Sequence, residues 1–292
     1  MAKGANSEEA EPRILLAGLP GNMATHMLHR LQEKDYRLAS PHSGQTATAL
    51  TGTHRKNKDG ELVEMTSKFI DNYKERTGIR LVRPDIHNQT VESLKQQHGD
   101  NLYLINFANE EGYNVNFISA ENNIPFITGI TGAPEERESE LVREVNNADI
   151  PAVIDKNMHP ALVVFGAMLN YAQENFPGAL ENWGGIGTES HQSDKSDPMS
   201  GTLGKLAGYI RNLGVDFATR DGGRNIEAGH GDHYISLRSP NVDTRINLIT
   251  EVTGRESYAI GTVDYALPFL IDRARRRETG VYDMIDVLGG QD

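Results

Sequence analysis

An apolar run ending in glycine, Ile14-Leu15-Leu16-Ala17-Gly18, stands near the start of the chain and narrows the folds open to it. Such a run reads as a buried parallel strand. The turn that follows is Gly18-Leu19-Pro20-Gly21-Asn22-Met23-Ala24, and Met23, Met27 and Leu31 then recur at helical spacing. Strand, glycine turn and helix together form a variant of the dinucleotide fingerprint. Gly18 serves the tight turn, Gly21 lets the backbone approach a pyrophosphate, and small Ala24 permits close helix–strand packing. The candidate cofactor contacts are Gly18, Gly21, Asn22 and Met23, at a helix N-terminus whose N–H groups favour phosphate. A purely structural turn is the bland alternative.

Further strands are expected at Leu102–Phe107, Ile124–Gly129 and Ala152–Ile154, with a charged helix over Glu135–Asn146. This alternation predicts a doubly wound, mostly parallel sheet. In such a sheet ligands bind at the carboxyl ends of strands, which adds Asn106, Gly129 and Thr131 to the cofactor candidates. The polar stretch 44–61 is expected to be a loop or hairpin, with a helix over Met65–Tyr73 and extended chain over Arg80–Arg83.

After about residue 157 the pattern changes. A long apolar helix is expected over Ala161–Phe176, then His- and Gly-rich turns, a helix near Leu203–Leu213, and alternating runs at Tyr234–Arg238 and Arg245–Val252. These runs suggest an antiparallel sheet open on one face, and a helix around Val263–Arg276 follows. The expected fold class is α/β. An N-terminal Rossmann-like doubly wound domain over 1–157, completed by 262–292, is joined to an α+β substrate and oligomerisation domain over 158–261 with a mostly antiparallel sheet.

Composition removes several function classes. There is no cysteine among the 292 residues, which excludes disulfides, thiolate nucleophiles and cysteine-ligated zinc. A net charge of -12 argues against nucleic-acid or anionic-membrane partners. Met1–Arg13 carries no apolar stretch of signal-peptide type and no segment is long enough to cross a membrane, so a cytoplasmic protein is expected. The two histidines of His230-Gly231-Asp232-His233 point in different directions if extended, so no metal site is expected, although one of them could border the substrate.

The densest polar segment is Glu189–Thr202, Glu-Ser-His-Gln-Ser-Asp-Lys-Ser-Asp-Pro-Met-Ser-Gly-Thr. A reduction that places a hydride on carbon also needs a proton, and His191 is of the residue type suited to give one. Lys195 supplies a point charge for a carboxylate. Ser200, Gly201 and Thr202 precede a helix, where N–H groups and hydroxyls can hold a second carboxylate. Two anion sites flanking a proton donor fit a small dicarboxylate. The bland alternative is an exposed loop that ends in a helix cap. For the cofactor, Leu38–Ser43 holds no carboxylate of the kind that binds an NAD ribose, whereas Arg37, His42, Arg55, Lys56 and Lys58 lie nearby in sequence. NADPH is therefore favoured, with NADH as the alternative.

The segment Glu189–Thr202 resembles the Glu-x-His-x-x-x-Lys-x-Asp-x-x-Ser-Gly-Thr signature of the dihydrodipicolinate reductase (4-hydroxy-tetrahydrodipicolinate reductase) family. Gly18–Ala24, Gly129–Gly132, Asn157-Met158 and Tyr282–Leu288 fall where that family has its glycine loop, its Gly-Thr-Thr-Gly, its hinge and its C-terminal motif. Phe176-Pro177-Gly178 and Gly261-Thr262-Val263-Asp264 resemble the plant and cyanobacterial branch. The resemblance implies NAD(P)H-dependent reduction of a cyclic unsaturated imine dicarboxylate in lysine and diaminopimelate biosynthesis, by a homotetramer. It implies His191 as proton donor, Lys195 as substrate ligand, and Ser200, Gly201 and Thr202 as the carboxylate site. Departures are Gln192, Ile130, Ala24, the lack of Thr and Pro over Asn106–Glu110, His159-Pro160 and a poorly matching stretch between Ser40 and Leu102. Two other readings compete: the same fold with another small carboxylate as substrate, and a non-catalytic nucleotide-binding relative that serves assembly or regulation.

Overall fold

The computed structural model describes residues 11–42, 45–57, 61–191, 201–223, 229–241 and 243–290. Its elements begin with β1 (Arg13–Ala17), α1 (Asn22–Glu33), β2 (Arg37–Leu38), β3 (Ala47–Leu50), β4 (His54–Lys56), β5 (Leu62–Glu64) and α2 (Ser67–Thr77). Then come β6 (Ile79–Val82), α3 (His87–His98), β7 (Leu102–Asn106), α4 (Asn114–Glu121), β8 (Phe126–Thr128), α5 (Glu135–Asn147) and β9 (Pro151–Ile154). The chain continues through α6 (Pro160–Asn175), β10 (Gly184–Ser190), α7 (Gly201–Asn212), β11 (Asp216–Asp221), β12 (Gly229–Arg238), β13 (Arg245–Thr253) and α8 (Glu256–Ile260). A π-helical segment, Gly261–Ala266, leads to α9 (Leu267–Arg275), β14 (Gly280–Tyr282) and α10 (Met284–Gly289).

Contacts divide the chain into two compact units. Among the described residues, one comprises 11–155 with 262–283, and the other comprises 156–261 with 284–290. The stretch 284–290, expected from sequence with the first unit, groups with the second because Met284 and Val287 are buried there and α10 packs on α6.

The first unit is built on a parallel sheet in the order β14-β9-β8-β7-β1-β3-β6, with β2 also paired to β1. Its central strands are buried over nearly every residue, as their unbroken apolar runs require. Helix α1 turns Ala24, Met27, Leu28 and Leu31 inward. The order reverses at β1: β3 lies on one side and β7 on the other, so β1 and β7 form a topological switch point, where ligands bind in open sheets of this kind. The stretch 44–61 departs in part from expectation. His54–Lys56 and Leu62–Glu64 do form a hairpin, but Ala47–Leu50 is a core strand with Thr48 buried.

The second unit carries a four-stranded sheet in the order β11-β10-β12-β13, in which only β10–β11 is parallel. One face meets α6 and α7 through Leu169, Leu203, Leu206, Ile210, Phe217, Ile235 and Leu237. Ile186, Tyr234 and Ile249 stay exposed. Gly184–Ser190 is a strand rather than the turn its composition suggests. Gly185 and Gly187 alternate inward, and a Cβ on either would lie 2.7 Å from the Phe217 ring, so the aromatic side chain fills the space the glycines leave. No helix among the described residues is long and apolar enough to cross a membrane.

Candidate active site

In the first unit, the turn after β1 is held at both ends. The Gly18 N–H donates to Leu50 O at 3.0 Å and the Gly21 N–H to Gly18 O at 2.8 Å. Gly18 has φ +109°, and a Cβ there would lie 2.7 Å from the carbonyl carbon and oxygen of Phe107, so only glycine fits beside the loop that leaves β7. Gly21 is the N-cap of α1, with no side-chain cap and no acidic residue in the first helical turn. Gly21 and Asn22 are exposed, Met23 is half-buried, and Ala24 is fully buried. An uncapped, acid-free helix start after a glycine turn fits the phosphates of a dinucleotide.

The other first-unit candidates surround the same strand ends. Gly129 carries the Phe107 ring directly against its Cα, leaving no room for a side chain. Thr131 is exposed and its neighbour Ile130 buried. Asn106 is 0% exposed, and its amide is used inside the unit: Nδ2 donates to Gly112 O and Asn116 Oδ1, and Oδ1 accepts from the Ala108 N–H. It shapes the loop after β7 rather than presenting an amide to a ligand. Beside the turn lies a cavity of about 230 Å³ lined by Gly18, Thr51, Gly52, Ala108 and Glu111 among others.

In the second unit, β10 changes character along its inner face from Gly185 and Gly187 to Glu189, with His191 just beyond its end. Glu189 Oε1 pairs with His191 Nε2, and both side chains are buried. Across the sheet Glu189 stands opposite His233, also buried, whose Nδ1 is 3.0 Å from Thr250 Oγ1. Gly231 lets the imidazole in, since a Cβ there would lie 2.9 Å from His191 Nδ1. The backbone of His191 donates to Gly223 O at 3.2 Å. Gly201 opens α7, and the Thr202 hydroxyl accepts from Asn157 Nδ2 at 3.5 Å. Lys195 and Ser200 lie outside the described residues. Among the described residues, no group of three or more His, Cys, Asp or Glu is placed to hold a metal ion.

Sequence reasoning placed none of Glu189, Gly231 and Asn157 among the site residues. For Glu189 a signal was present, because a residue two positions from His191 on an extended segment shares its face. Gly231 and Asn157 reach the site only through strand pairing and a contact 45 residues away.

No protein-family model matches the chain. It is 30% identical to 4-hydroxy-tetrahydrodipicolinate reductase 1, chloroplastic, of Arabidopsis thaliana over 79% of this chain and 67% of that protein. It is 35% identical to 4-hydroxy-tetrahydrodipicolinate reductase 2, chloroplastic, of the same plant over 78% of this chain and 66% of the relative. The chain thus spans about two thirds of the length of these plant relatives. Among solved structures, a dipicolinate-bound dihydrodipicolinate reductase from Paenisporosarcina sp. TG-14 superposes with a TM-score of 0.59 at 12% identity, over 94% of this chain and 98% of that one, a likeness of fold. By its sequence relations the chain belongs to the 4-hydroxy-tetrahydrodipicolinate reductase family.

Proposed function

We propose that this protein catalyses the nicotinamide-dependent reduction of a cyclic unsaturated imine dicarboxylate, the activity its relatives are named for, in lysine and diaminopimelate biosynthesis. Within that family, the observation that carries the reading is the open glycine turn of Gly18–Ala24 at the switch point of a parallel sheet. The unit with the parallel sheet serves as dinucleotide-binding domain and the other as substrate and oligomerisation domain. Gly18, Gly21, Asn22 and Met23 take the pyrophosphate, Gly129 and Thr131 border the cofactor, and Asn106 positions the loop next to them.

When bound, the reduced nicotinamide supplies a hydride to a carbon of the unsaturated ring. His191, as imidazolium, gives the proton that completes the two-electron reduction and ends neutral. Glu189 fixes the ring orientation. Lys195 and the Ser200-Gly201-Thr202 helix start hold the two carboxylates, with Asn157 anchoring the Thr202 hydroxyl. The exposed Ile186, Tyr234 and Ile249 support assembly through the sheet of the second unit into a homotetramer. A cytoplasmic location belongs to the same proposal, beside two plant relatives whose names place them in chloroplasts.

The sequence favours NADPH through its basic residues, yet among the described residues the lining of the cavity beside the turn holds neither lysine nor arginine. Oxidation of NADPH and NADH in the presence of freshly made 4-hydroxy-tetrahydrodipicolinate tests the activity. Turnover by wild type with loss in His191→Ala and Lys195→Ala is expected. Nucleotide binding without turnover of this substrate would overturn the reading.

A further inference from the structure

The cavity beside the glycine turn opens at the carboxyl ends of β1, β3 and β7. Its charged lining residues are Asp85 and Glu111. Glu111 comes from the 3-10 turn Glu110–Tyr113 after β7, and its Oε2 accepts a hydrogen bond from the Thr53 hydroxyl at 2.9 Å. The same oxygen stands 3.9 Å from where a Cβ on Gly52 would lie.

This position matters because of how β1 is flanked. Strand β2 pairs with the opening of β1, at Arg13 and Ile14, whereas β3 pairs with its close, at Leu16 and Ala17. The segment at the ligand edge is therefore Thr51–Thr53, not Leu38–Ser43. In dinucleotide folds the acid near this edge accepts hydrogen bonds from the adenosine ribose, and a cation there accommodates a 2′-phosphate. Thr51–Thr53 has no acid of its own, but Glu111 brings one to it from 58 residues away. Two nearby guanidinium groups have partners within the unit: that of Arg55 lies 4.0 Å from the centre of the Phe69 ring, and that of Arg83 stands 3.6 Å from Asp85.

We propose that Glu111 determines cofactor specificity, its carboxylate accepting hydrogen bonds from the adenosine ribose hydroxyls and repelling a 2′-phosphate, so that the protein uses NADH in preference to NADPH. The inference rests on the reading of the first unit as dinucleotide-binding, and it reverses the preference drawn from sequence.

Direct binding tests it, by fluorescence titration of each reduced dinucleotide without substrate. Wild type is expected to bind NADH about tenfold or more tightly than NADPH, the scale of one hydrogen bond to a charged group. Glu111→Gln keeps an acceptor for Thr53 and removes the charge; it should bring the two affinities within about twofold to threefold of each other. With wild type alone, NADH lacking the adenosine 2′-hydroxyl should bind about tenfold more weakly than NADH itself. Tighter binding of NADPH by wild type, or a ratio untouched by Glu111→Gln, overturns the proposal and leaves the dinucleotide reading standing. Failure of wild type to bind either dinucleotide overturns both.

Discussion

Glu189 sets Oε1 against Nε2 of His191 in a pocket where the two residues are 1% and 3% exposed. A buried carboxyl group on one ring nitrogen fixes the imidazole's orientation, as the partners of catalytic and ligating histidines do. Gly231 completes the arrangement by leaving space at Nδ1. His191→Ala should therefore lower kcat by about 10²- to 10⁴-fold, the range of a lost general acid. Glu189→Gln should lower kcat about tenfold or more with a smaller change in KM, because it removes orientation and charge rather than a substrate contact. Steady-state kinetics of the two variants check this, and an unchanged kcat in both would remove the pair from the chemistry.

Gly18 is expected to be the least replaceable residue of the turn. Alanine there meets two costs, a φ of +109° and a Cβ 2.7 Å from the Phe107 backbone. Together they should destabilise the first unit by about 2–4 kcal/mol and abolish dinucleotide binding. Gly129→Ala meets the Phe107 ring instead, a side chain that can rotate away, so its loss should be smaller. Urea unfolding of the two variants, compared with nucleotide titration, gives the ranking; a milder effect at Gly18 than at Gly129 would contradict it.

What the sequence made legible follows from local pattern. The runs at β1, β7 and β9 are visible as unbroken apolar stretches, and α1 is visible because it buries a regular apolar face. α3 is hidden because His87–His98 is polar around Val91 and Leu94, and its place is set by packing on the sheet. β10 is hidden because its inward glycines depend on Phe217, about thirty residues on, to cover them. The motif around His191 was readable, but its geometry was not, since Glu189, Gly231 and His233 meet through strand pairing. Glu111 escaped for the same reason: a search about twenty residues past the turn looks along the chain, whereas the carboxylate arrives from across the sheet edge.

The C-terminal return of the chain to the first unit is tied down by charge. Asp264 accepts from Arg30 Nε at 2.9 Å and pairs with Lys34 Nζ at 3.2 Å, linking the π-helical segment to α1. The Arg30 hydrogen bond holds the Asp264 carboxyl below its ordinary value of 3.8. A depressed carboxyl contributes stability that is present above its unfolded value and is lost as pH falls through the folded one. Asp264→Asn should cost about 1–2 kcal/mol near neutrality and less near about pH 3, below the unfolded value, where wild type has begun to lose the same contribution. Thermal unfolding at the two pH values checks the convergence; an equal deficit at both would rule the pair out as its source.

His159 caps α6 in the second unit, its Nδ1 accepting from the Leu162 N–H at 3.4 Å while the ring meets Tyr258 edge-on at 5.3 Å. Burial holds its pKa below the ordinary 6.5. The acceptor role requires a neutral Nδ1, and the unfolded chain takes up a proton before the folded one does. Stability should therefore fall as pH drops from about 6.5 toward the folded value and level off below it, because over that window the unfolded state binds more protons. His159→Asn retains a capping acceptor and removes the titration. Its Tm should change less between about pH 7 and about pH 5 than that of wild type, a difference that cancels His87 and His98, which burial also depresses and which both proteins share. Identical pH dependence in the two proteins would show that the cap does not depend on the protonation of His159.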